Sequence, residues 1–69
     1  MRELIFEVTE EPEGGYSAEA IGENIFTQGD TWEELRLNVQ DATRLHFEGD
    51  IVPQAVRLLL RREEVLAVA

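Results

Sequence analysis

The chain has 69 residues, which bounds it to a single domain spanning 1–69, with a thin core that a partner subunit would help to cover. Fifteen acidic residues against six basic ones, all of them Arg, leave a formal charge of −9; such a chain repels a phosphate backbone and attracts basic proteins. With no cysteine it can build neither a disulfide framework nor a thiolate metal site, and its apolar runs, such as Leu58-Leu59-Leu60, fall far short of the about 20 residues that span a bilayer.

Residues 3–10 (ELIFEVTE) alternate, with Leu4, Phe6 and Val8 on one face and Ile5, Glu7 and Thr9 on the other. That period of two predicts a strand. Glu11-Pro12-Glu13-Gly14-Gly15 stops it and turns the chain. Tyr16 to Ile21 resumes extended structure, Gly22-Glu23-Asn24 makes a second turn, and Ile25 to Gln28 supplies a third strand. Short connections of this kind predict an antiparallel meander.

A helix follows. Thr31 and Glu34 have the spacing of a capping box, in which each side chain satisfies a backbone N–H at the helix start. Trp32, Leu35, Val39, Ala42 and His46 then recur at intervals of three and four, a stripe that can lie on a sheet. Asp41, Arg44 and Glu48 fall on the opposite side at ion-pair spacing, and Gly49 suits a helix stop. Val56, Leu58 and Leu60 alternate with Arg57, Leu59 and Arg61, predicting a fourth strand. The tail, Glu64 to Ala69, fits either a fifth strand or a helical turn. The expected fold is α+β, in the order β-β-β-α-β, one helix packed on one face of an antiparallel sheet.

The second sheet face carries Ile5, Ile21 and Phe26. Apolar residues there point to self-association, and hence to a homo-oligomer, unless the tail folds back over them. The Arg57, Arg61 and Arg62 cluster could contact RNA or acidic residues of a second subunit, and a charge of −9 favours the latter. Glu10, Glu11 and Glu13 beside the first turn are the candidate surface for a basic partner, although a run of loop carboxylates is usually just solvated.

Catalytic constellations are thin. His46 is the one histidine, and a zinc site usually needs three or four protein ligands. Gly14-Gly15 and Gly29 fit neither phosphate-loop spacing. No catalytic, metal or cofactor-binding residues are expected, and no enzyme. Residues 1–8 carry Arg2, Glu3 and Glu7 without a long apolar stretch, so nothing there reads as a secretory signal. A cytoplasmic protein that meets neither membrane nor nucleic acid directly is expected.

The segments Gly14-Gly15-Tyr16-Ser17-Ala18 and Thr27-Gln28-Gly29-Asp30-Thr31-Trp32-Glu33-Glu34-Leu35, followed by Asn38 and Asp41-Ala42, resemble the HicB-like antitoxin family. The motif residues are Gly15, Tyr16, Gln28, Gly29, Asp30, Thr31, Glu34 and Asn38. The resemblance runs in order from about Glu3 to the end of the helix, with a weaker echo in Arg57 to Leu66. It implies a partial ribonuclease-H-like fold and a protein-binding role, neutralising a small basic RNA-cleaving toxin. Two departures stand out: Gly22-Glu23-Asn24 occupies a turn where the family usually has Pro-Gly, and Leu35 stands where it often has Ala. Many members carry a further DNA-binding domain, for which these residues hold no counterpart. The other reading is a stand-alone structural or oligomeric interaction protein with no toxin.

Overall fold

A computed structural model describes residues 3–47 and 51–69. The elements are β1 (Glu3–Glu10), β2 (Tyr16–Ala20), β3 (Phe26–Gly29), α1 (Trp32–His46) and β4 (Ala55–Arg61). They make a four-stranded sheet in the order β3-β2-β1-β4, with α1 over one face. The α+β class and the β-β-β-α-β order are those read from the alternation and the helical stripe.

The sheet is mixed, which corrects the expectation of an antiparallel one. β1 with β2 and β2 with β3 are antiparallel, as short turns require. β4 instead runs parallel to β1, with Leu4 beside Val56 and Phe6 beside Leu58. A parallel neighbour needs a crossover of a dozen or more residues, and α1 with its flanking segments provides one.

The core lies between the sheet and α1. Leu4, Phe6 and Val8 of β1, Ala18 and Ala20 of β2, Ile25, and Leu35, Val39 and Phe47 are buried. Small residues on β2 let the helix come close. At Gly29 the approach reaches the backbone: a Cβ there would lie 2.6 Å from the Leu35 nitrogen and 2.8 Å from its Cα.

The helix departs from expectation in three places. Trp32 and Ala42 of the stripe are half-buried, and His46 is exposed at its end. The buried position in the last turn is Thr43, whose Oγ1 donates to the Val39 carbonyl at 2.8 Å. The helix ends at His46 rather than near Gly49, because Phe47 turns extended and joins the core while its N–H still bonds the Thr43 carbonyl. Gly49, like Glu48 and Asp50, lies outside the described residues.

The tail forms neither a helical turn nor a fifth strand within the chain. Residues 62–69 carry no regular structure and all are exposed. They do not cover the second sheet face, where Ile21 is 51% and Phe26 64% exposed.

Candidate functional site

The motif residues converge on one corner, where β3 hands over to α1. Thr31 takes an extended backbone, and its Oγ1 accepts the Glu34 N–H at 3.1 Å. The Glu34 carboxylate reaches back and accepts the Asp30 N–H at 3.2 Å. The first bond satisfies an N–H that the helix start leaves unbonded, and the second ties down the residue before the cap. One turn further on, the Asn38 amide donates to the Gln28 carbonyl at 2.7 Å, tying α1 to β3.

The first turn backs onto the same corner. Gly15 has φ of +87°, and a Cβ on it would lie 3.0 Å from the Gly29 carbonyl oxygen. Next to it Tyr16 pairs with Gly29 across the strands. Its ring meets Trp32 edge-on, with centroids 5.3 Å apart. The motif residues therefore serve the fold locally, as tight turn, close approach, cap or clamp. Trp32, absent from the motif, belongs to the corner through this contact.

The acidic cluster divides. The Glu11 carboxylate accepts the Ser17 hydroxyl at 2.7 Å. Glu10 approaches Arg62 at 3.5 Å, and Glu13 stands exposed at the turn. Glu10 and Glu11 line an open groove of about 490 Å³ with Arg61, Arg62 and Glu63. The acidic turn and the end of the basic strand are thus neighbours, which sequence separation conceals.

Two members of the basic cluster are engaged within the chain. Arg57 grips Glu3 with two hydrogen bonds of 2.7 and 3.2 Å, and Arg62 leans on Glu10. In the parallel β1–β4 register Arg57 lies beside Ile5, two positions along from Ala55, the partner of Glu3. The hydrogen bond from Arg57 holds the Glu3 carboxyl below its ordinary value and raises the guanidinium in return. Arg61 stays exposed, with no carboxylate in salt-bridge range among the described residues.

On the second face, Ile5 and Ile21 sit side by side, the Ile21 N–H bonding the Ile5 carbonyl at 2.8 Å, and Phe26 lies opposite Glu19. They share that face with Glu7 and Glu19, both exposed. Among the described residues no three of His, Asp and Glu gather to hold a metal ion. His46 instead meets the Glu23 carboxylate through Nε2 at 3.1 Å. No helix among them is long and apolar enough to cross a membrane.

Two curated proteins align with this chain. A UPF0150 protein of Thermotoga maritima is 37% identical over 67 residues, 97% of this chain and 94% of that protein. The chain belongs to the UPF0150 family. A UPF0150 protein of Archaeoglobus fulgidus is 49% identical over 41 residues, which is 59% of this chain and 62% of that protein. No family model matches the chain, and no solved structure matches it either.

Proposed function

We propose that this UPF0150 protein is an antitoxin-like, non-enzymatic binding module of the cytoplasm that neutralises a small basic RNA-cleaving toxin and works as a homo-oligomer. The observation that carries the reading is the surplus of carboxylates left without a cation. Glu7, Glu13, Glu19 and Glu33 are exposed and stand outside every ion pair formed among the described residues. Arg57, Arg44 and Arg62, which could have offset such charge, are already held by Glu3, Asp41 and Glu10. A net −9 of this kind steers a cationic protein toward the surface and disfavours nucleic acid. The Gln28-Gly29-Asp30-Thr31 corner, shared in pattern with HicB-like antitoxins, supports the same reading.

The test is capture from the native cell followed by kinetics. A small cationic protein should co-purify, and association should slow as salt rises from about 50 to 500 mM, because the Debye length shrinks to a few ångströms. Reversing Glu10, Glu11 and Glu13 to Arg measures what the turn contributes. Nanomolar nucleic-acid binding by this chain, or hydrolysis that vanishes when carboxylates are replaced, would refute the proposal. The second reading, an oligomeric interaction protein without a toxin, is favoured by the exposed apolar residues along β4 and the tail. It predicts self-association with no cationic protein recovered.

A further inference from the structure

The half of the molecule around β4 has the shape of an unfinished interface. β4 is an edge strand, and beyond it the chain runs on through residues 62–69. The molecule measures 56 × 21 × 17 Å, and fifteen residues of strand from Ala55 onward would extend about 50 Å. Its radius of gyration is 13.9 Å, against about 11 Å for a compact chain of this length. Its exposed surface is 5533 Å², where a compact monomer of 7.9 kDa would show about 4,400 Å². The excess, about 1,100 Å², is of the size that one partner buries in a stable interface. Much of the exposed segment is apolar: Leu59 is 47% exposed, Leu60 51%, Val65 94%, Leu66 73% and Val68 98%.

What fits this edge is written in the segment itself, Val56-Arg57-Leu58-Leu59-Leu60-Arg61-Arg62-Glu63-Glu64-Val65-Leu66-Ala67-Val68. Basic and acidic pairs meet at its centre and apolar residues flank both sides. Two identical strands related by a two-fold axis through their sheet must have one residue facing its own copy, because facing residues share a face. With Arg62 on the axis, Arg61 faces Glu63 of the second copy. Leu59 then faces Val65, Leu58 faces Leu66, and Val56 faces Val68, each pair occurring twice. The register gives Arg61, the arginine of β4 that β1 leaves without a carboxylate, an acidic neighbour. Facing Arg62 residues repel, but each keeps its own Glu10 at 3.5 Å and gains Glu64 of the second copy on the diagonal. Leu66 and Val68 extend the apolar face of Val56 and Leu58 at the border where the protein's own core leaves those two half-buried. The other edge, β3, has four residues and ends at Gly29, which offers an arm far less.

We propose that residues 62–69 are an exchange arm: each copy lays its arm antiparallel along β4 of a second copy, with Arg62 on the two-fold axis, joining two sheets into one of eight strands. This identifies the surface for the self-association proposed above and does not depend on a toxin.

Because the chain lacks cysteine, single-cysteine variants of the full chain read the register directly. Residues facing across antiparallel strands have Cα atoms about 4.5–5.5 Å apart, within reach of a disulfide. Mild oxidation should link Arg62→Cys into a dimer and leave Ala67→Cys unlinked. Sedimentation equilibrium at micromolar concentration should give twice 7.9 kDa. Leu66→Asp and Val68→Asp alter side chains that are largely exposed in the monomer, so they should preserve its circular dichroism. Together they should raise the dimer dissociation constant about 100-fold, since each change counts twice. Arg61→Glu alone should weaken the dimer, and adding Glu63→Arg should restore it. A monomer at that concentration overturns both this inference and the proposed self-association. A dimer that Phe26→Asp dissolves and the arm variants spare overturns this inference alone, as does linkage at Glu63→Cys in place of Arg62→Cys.

Discussion

The two halves of this domain are finished to different degrees. Around α1, β2 and β3 most devices join segments close in sequence: Thr31 bonds Glu34, Asn38 bonds Gln28, and Gly15 backs onto Gly29. Around β1, β4 and the tail the links span most of the chain, as in Arg57 on Glu3, and apolar side chains lie bare. The helix covers the first half and the core face of β1, and leaves Val56 and Leu58 of β4 half-buried. A thin domain with one helix cannot shield four strands, so one sheet edge carries the stability and the other is left to meet something else.

The sharpest way to break this contrast is Gly29→Ala. The new Cβ would press on the backbone of Leu35, which no rotamer can relieve, so a loss of about 3 kcal/mol or more is expected in chemical denaturation. Gly14→Ala, where a Cβ meets open space, should cost only about 1–2 kcal/mol through its positive φ. Equal losses at the two glycines would mean that close helix packing does not set the difference. Trp32→Ala comes next. A fully buried Trp would cost about 3–5 kcal/mol; this one is half-buried against Tyr16, so about 2 kcal/mol is expected, read from the thermal midpoint. Asn38→Ala removes the clamp on the Gln28 carbonyl, with a loss of about 1–2 kcal/mol.

The smallest effect belongs to the other half. Glu3 is held below its ordinary carboxyl value of 4.5 by Arg57. A lowered native value means the pair stabilises the fold above the unfolded value and ceases to do so as pH falls through the native one. Wild type and Arg57→Gln should differ slightly near pH 7 and converge as pH falls through the lowered Glu3 value. A difference that persists in acid would show that Arg57 acts by packing rather than charge.

The same division marks what the sequence discloses. The Thr31–Glu34 cap and the alternation in β1 are legible because their signals lie within a few residues. The parallel partner of β1 is not, since nothing in residues 3–10 or 55–61 encodes which edge β4 chooses. Thr43 escapes notice because a hydroxyl looks polar until its bond to Val39 hides it, and Phe47 because it follows the helix rather than belonging to its period. The motif corner is legible as a pattern. That Gly15 and Gly29 touch, and that Glu10 neighbours Arg62, depends on how separate segments meet.

The β1–β4 pairing also bears on how the protein is made. Glu3 waits for Ala55, 52 positions later, which at about 5–20 residues per second takes on the order of 3–10 s of synthesis. During that interval β1 can hold only the β2 side of its ladder, and its other edge is bare. Contacts so distant along the chain also slow the final closure. The nascent chain is therefore expected to present the unpaired backbone edge of β1 to chaperones until the last strand emerges.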